Sequence, residues 1–145
     1  LSFIGNVTQK DCDELCDLMD DVAKNHHSFH LKFGGIGSFN RREKHIVFNE
    51  LSGDLQPLRS LQKALEEKLI DHEFPVDAKR RYKPHVTLAR EVKTETVSLL
   101  KPLIPITDAV LVDRIVLFES TRIHGELHYI PIHEAQLIND HPSVE

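Results

Sequence analysis

An α+β fold is what this sequence predicts, and three observations predict it. Apolar residues recur at helical spacing in two long stretches, they alternate in several short ones, and the short stretches come in neighbouring pairs. Neighbouring strands joined by short loops imply antiparallel ladders, not the crossovers of a doubly wound sheet. The helices are amphipathic, so each is expected to lay its apolar stripe on a sheet.

Each element has its own warrant. Residues 1–7 read as a short strand. Thr8 offers an N-cap and Asp11 and Asp13 an acidic first turn, so a helix is expected over about 8–25, with Cys12, Leu15, Cys16, Met19, Val22 and Ala23 on one face. Phe29, Leu31 and Phe33 alternate with His30 and Lys32 as a strand, and Gly34, Gly35 and Gly37 predict a bulge or bend in it. These glycines lack the GxGxxG spacing of a dinucleotide fingerprint. His45 to Leu51 is a further strand. Leu55, Leu58, Leu61, Leu65 and Leu69 stripe a second helix ending near His72, and a charged loop runs from Glu73 to Lys83. A strand at His85 and a helix from Thr94 to Leu100, stopped by Pro102, come next. Val110 to Phe118 reads as one long strand with an irregularity near Asp113. Its hairpin partner is Glu126 to Ile132, with Gly125 at the turn. Residues 1–138 are expected to be one domain and 139–145 a polar tail.

Composition narrows the function. A formal charge of −5 argues against coating nucleic acid broadly, which needs a basic surface, but leaves room for a pocket that binds one phosphate. No apolar run reaches the ~20 residues of a membrane span, and no secretory leader is visible. With Cys12 and Cys16 as the only cysteines, two buried thiols in a reducing cytoplasm are expected. Three histidines cluster at His26, His27 and His30 and three at His124, His128 and His133, but none has an acidic or thiol partner at clear ligand spacing. Neither a metal nor a cofactor is expected.

The most informative segment is Pro84-His85-Val86-Thr87-Leu88. A histidine and a threonine two apart on a strand point to the same face. That places a group able to move protons near neutral pH beside a small hydroxyl donor, a pair suited to phosphate. Alone, the tripeptide has little specificity, since a His-x-Thr on a strand is usually packing or surface. Cleaving a phosphodiester also needs a base for the nucleophile and an acid for the leaving oxygen, on opposite sides of phosphorus. One histidine fills one of those places.

The neighbouring residues are more specific. Arg81-Tyr82-Lys83-Pro84-His85-Val86-Thr87-Leu88-Ala89-Arg90 resembles the second signature of the 2H phosphoesterase superfamily, and within it the LigT-like RNA 2′,3′-cyclic phosphodiesterases, or 2′-5′ RNA ligases. Ser28 to Phe39 is similar to that family's glycine-containing strand, and Leu117-Phe118-Glu119-Ser120 to its late strand. The resemblance runs from Leu1 to about Leu137. It implies a bilobal α+β fold in which two related antiparallel sheets line a cleft, with helices outside. It implies metal-independent opening of RNA-terminal 2′,3′-cyclic phosphates, with reverse 2′-5′ joining as a companion activity. His85 would be the general acid or base and Thr87 the phosphate ligand. Leu1-Ser2-Phe3-Ile4-Gly5-Asn6-Val7 is similar to the apolar run after the family's first His-x-Thr, so that motif is expected just before Leu1. Residues 1–145 alone would then carry half of the catalytic pair.

Other candidates surround this pair. The Arg90 guanidinium suits phosphate, although simple alternation puts it on the face opposite His85. Tyr82 is a candidate for stacking on a base. Phe3 is a candidate wall of the cleft, with core packing the more ordinary role. Lys79, Arg80, Arg81 and Lys83 form the one dense basic cluster, suited to RNA phosphates or simply to solvent. The expected partners are RNA ends or small cyclic nucleotides, met by a monomer away from membranes. A phosphate- or RNA-binding module without chemistry, and a phosphodiesterase for another small cyclic phosphate, are the competing readings.

Overall fold

A computed structural model describes residues 1–77, 79–103 and 108–139. Three helices and six strands follow the chain as α1 (Gln9–Ala23), β1 (Phe29–Phe39), β2 (His45–Ser52), α2 (Gln56–Asp71), β3 (His85–Val92), α3 (Thr94–Leu100), β4 (Val110–Val112), β5 (Arg114–Ile123) and β6 (Glu126–Gln136). The fold is α+β. The pairs β1–β2, β2–β3 and β5–β6 are all antiparallel. Among the described residues no helix is long and apolar enough to cross a membrane.

The chain divides into two compact units. The first takes Leu1, residues 30–55 and residues 81–111; the second takes 2–29, 56–80 and 112 onward.

In the first unit the sheet order is β3-β2-β1-β4. Leu31, Val47, Phe48 and Val97 are buried there. His45, also buried, joins β2 to the start of α3, with Nε2 2.9 Å from the Thr94 hydroxyl. The glycines of β1 act as expected: the register with β2 shifts between Phe33 and Ile36, a bulge spanning Gly34 and Gly35.

In the second unit the core is helical leucine laid on a two-stranded ribbon. α1 buries Leu15, Leu18, Met19, Val22 and Ala23, and α2 buries Leu58, Leu61, Leu65 and Leu69. Ile115 of β5 and Ala135 of β6, paired across the ribbon, are buried too. Thr8 caps α1 in a capping box. Its hydroxyl accepts from the Asp11 amide at 3.2 Å, while its own amide donates to the Asp11 carboxylate at 3.1 Å.

Three expectations need correction. Residues 1–7 join neither sheet, because Gly5 turns the backbone at φ 88° and the run has no ladder partner. The expected long strand 110–118 is two strands. The irregularity at Asp113 ends β4, in the four-stranded sheet, and starts β5, in the ribbon. The partner strand runs on to Gln136 instead of ending at Ile132, with its register shift opposite Leu117 and Phe118. Beyond Asn139 the expected polar tail lies outside the described residues.

Candidate functional site

Two features of β3 set the site. It is an edge strand of the first unit's sheet, and its pairing with β2 puts His85 across from Glu50 and Thr87 across from Phe48. Opposed residues of an antiparallel pair share a face. His85, Thr87, Phe48 and Glu50 therefore line one side of the sheet. The same face continues onto β1, where Gly37 opposes Phe48 and Phe39 opposes Ile46.

That face is assembled around the Phe48 ring, which is fully buried. A Cβ on Gly37 would lie 2.7 Å from both Cε2 and Cζ of Phe48, so only glycine lets the ring lie against β1. Phe39 stacks on Phe48 with ring centroids 4.5 Å apart. His85 meets both edge-on, at 5.1 Å from Phe39 and 5.3 Å from Phe48. Such contacts fix the plane of the imidazole while leaving His85 exposed.

The backbone fixes its tautomer. His85 Nδ1 lies 2.6 Å from the Lys83 carbonyl oxygen. A carbonyl only accepts, so Nδ1 carries the hydrogen and donates it, and Nε2 is the nitrogen left for a substrate. In the neutral ring Nε2 is a base; in the protonated ring it is an acid. Thr87, half-buried two residues on, brings a hydroxyl to the same face.

Arg90 is where simple alternation misleads. Phe48 pairs with Thr87 and Val47 with Ala89, so β3 takes two steps against one on β2 and Leu88 is an extra residue. The bulge resets the parity. Ala89 falls on the face of Val47, and Arg90 falls on the face of His85 and Thr87. A second register shift precedes Val92, where Glu91 adopts φ 55°.

The remaining candidates divide. Tyr82 is half-buried in the first unit, three residues before His85. Phe3 is 81% exposed, so it is not packed in a core, and it belongs to the second unit. Of the basic cluster, Arg81 and Lys83 fall in the first unit, and Lys79 and Arg80 in the second. Lys83 extends over the aromatic pair, its Nζ 4.9 Å from the Phe48 centroid and 5.6 Å from that of Phe39.

Among the described residues no three His, Cys, Asp or Glu side chains converge as metal ligands. Several histidines have structural partners instead. His72 bonds Glu14, His133 bonds Asp20, both at 2.8 Å, and His26 Nδ1 donates to the Val22 carbonyl at 2.9 Å. Cys12 and Cys16 are free, but half-buried rather than buried, because they sit at the margin of the α1 stripe. Partial burial, and after it the neighbouring Cys12, push the Cys16 thiol above its ordinary range.

Sequence reasoning placed His85 and Thr87 on one face of a strand, and β3 carries them so. It missed Phe48, Gly37, Phe39 and Glu50, which reach the site through cross-strand register. The glycine within a strand, facing an aromatic on the next, was the signal available for Gly37.

Comparisons with known proteins agree on the fold. Residues 3–123 match the family profile described as the 2′-5′ RNA ligase superfamily. No curated protein matches the sequence. Among solved structures, Escherichia coli LigT complexed with 3′-AMP is similar over 93% of this chain and 73% of its own, at 20% identity and a TM-score of 0.74. TT0787 of Thermus thermophilus is similar over 96% of this chain and 76% of its own, at 20% identity and a TM-score of 0.69. A structure described as a phosphoesterase is similar over 94% and 74%, at 19% identity and a TM-score of 0.72.

Proposed function

The chain belongs to the 2′-5′ RNA ligase superfamily, and from that membership we propose that the protein opens RNA-terminal 2′,3′-cyclic phosphates, with 2′-5′ joining as the reverse reaction. The observation that carries this reading is the His85 imidazole, held by a backbone carbonyl and two aromatic rings with Nε2 left free of the Lys83 carbonyl, on the strand face it shares with Thr87. Thr87 donates to a phosphoryl oxygen. Arg90, on the same face, offsets the charge that grows on the phosphate as the nucleophile adds. His85 performs one of two proton transfers. It takes the proton from the attacking water, or it delivers one to the ribose oxygen as the P–O bond breaks. No step calls on a metal. LigT has been crystallised with 3′-AMP, NADP+ and ATP, and nucleotide-like ligands fit the same chemistry here. The two free thiols suit a reducing compartment such as the cytoplasm.

A second reading rests on this face itself, where His85 is the one proton-transfer group placed beside Thr87 on β3: the face would bind a phosphate-ended RNA and do no chemistry. One experiment separates the two. The protein and its His85→Ala variant are assayed with a nucleoside 2′,3′-cyclic phosphate in the presence of a chelator. The cyclic phosphodiesterase reading expects turnover that falls by about 10²–10⁴-fold in the variant. Undiminished turnover in His85→Ala would sink it. Absence of turnover in both proteins, with binding of a nucleoside 3′-phosphate lost in the variant, would favour the binding module.

A further inference from the structure

The chemistry above uses His85, Thr87 and Arg90 but leaves the Lys83 ammonium without a task. Its position is unusual for an exposed lysine. Its main chain is tied to the site, because its carbonyl accepts from His85 Nδ1 at 2.6 Å and the next residue, Pro84, is buried. Its Nζ rests against the same two rings that His85 meets edge-on, 4.9 Å from Phe48 and 5.6 Å from Phe39. Nζ and the imidazole centre are therefore at most roughly 10 Å apart. Among the described residues no carboxylate stands within ion-pairing distance of it, whereas Lys24 and Lys44 each have one. A cation parked on aromatic faces gives up little on meeting an anion, because it has no carboxylate to leave.

We propose that Lys83 forms a subsite for a second phosphate of the substrate, the internucleotide phosphate next to the reacting end. The inference rests on the reading of this face as the site for an RNA-terminal phosphate. The order of groups favours a second phosphate over the reacting one. Along the segment the shared face presents Lys83, His85, Thr87 and Arg90, so Thr87 and Arg90 serve the reacting phosphate on one side of His85. The main chain of Lys83 lies on the other side of His85, and its Nζ, over the Phe48 and Phe39 rings, is the cation left for the next anion that a polynucleotide brings. A mononucleotide with a 2′,3′-cyclic phosphate has no such group. Lys83 thus becomes a residue that prefers polymer ends over single nucleotides.

Equilibrium binding tests this without relying on turnover. The probes are a nucleoside 3′-phosphate and a dinucleotide ending in a 3′-phosphate, titrated into the protein and its Lys83→Met and Lys83→Arg variants at several salt concentrations. Lys83→Met is expected to weaken the dinucleotide about tenfold and to flatten its log–log salt slope by about 0.7. The nucleoside 3′-phosphate should be unaffected, and Lys83→Arg should restore dinucleotide binding. Equal losses for both probes would assign Lys83 to the terminal phosphate and overturn the subsite. Unchanged binding of both would overturn it as well. If neither probe binds the wild-type protein, the site reading fails with it. If the nucleoside 3′-phosphate binds through His85 while Lys83→Met changes nothing, the subsite alone fails.

Discussion

Leucines of α1 and α2 in the second unit are almost wholly withdrawn from water, Leu69, Leu61 and Leu15 among them, whereas β3 of the first unit carries its aliphatic residues in the open, with Val86 42% and Leu88 52% exposed. Little of what holds β3 is its own burial. The strand is held by its ladder to β2, by the Phe48 ring behind His85, and by the Lys83 carbonyl. The candidate chemistry thus sits on a strand with little hydrophobic anchoring of its own. Precision there comes from hydrogen bonds and aromatic edges, which fix direction better than they supply stability.

Leucine truncation should expose this contrast most strongly. Leu69→Ala opens a cavity in the helical core and is expected to cost about 2–5 kcal/mol. Leu88→Ala removes a half-exposed side chain from an edge strand and should stay within about 0.5 kcal/mol. Urea unfolding midpoints of both variants measure the difference. Equal losses would mean that β3 is buried by something it does not meet in this structure.

Gly37 carries the next largest effect and links stability to the site. In Gly37→Ala the new methyl meets Phe48 Cε2 and Cζ at 2.7 Å, and the ring has to move. The expected cost is about 1–3 kcal/mol. His85 loses its edge contact at the same time, so opening of a cyclic phosphate should fall further than stability does. The double variant Gly37→Ala, Phe48→Leu removes the clash, so its two losses should not add. It should recover stability and not turnover, since the ring that orients His85 is gone. Additive losses would show that the glycine and the ring are not in contact.

The same division separates the features that were legible in the sequence from those that were hidden. Local signals were sufficient for α1, whose cap Thr8 and stripe are contiguous, and for α3, where Thr94 and Pro102 bracket seven residues. The His85–Thr87 pair was also local, since alternation over two residues is robust. Arg90 was not, because a single extra residue at Leu88 reverses the parity beyond it and leaves no mark in composition. Phe48, Gly37 and Glu50 were hidden for a related reason: they reach His85 through register between strands about 35 to 50 residues apart. The apparent strand at residues 1–7 had the right alternation and no neighbour, and a strand without a ladder is only an extended chain.

The smallest effect concerns the cap of α1, in the well-buried second unit. The Thr8 hydroxyl satisfies the Asp11 amide, one of the four amides that a helix start leaves open. In Thr8→Ala that amide turns to water, and the cost should be about 1 kcal/mol. The Asp11 carboxylate keeps its bond to the residue 8 amide, because that bond needs no side chain at position 8. Half of the capping box therefore survives, and Thr8→Ala combined with Asp11→Ala should cost more than Thr8→Ala alone. Since α1 is anchored by five buried residues, its first turn should fray without releasing the helix. Amide exchange of Asp11 and Cys12 should quicken in the variant while that of Met19 and Val22 tracks only the small global change. Uniform quickening along α1 would show that the cap, and not the buried stripe, sets the stability of the helix.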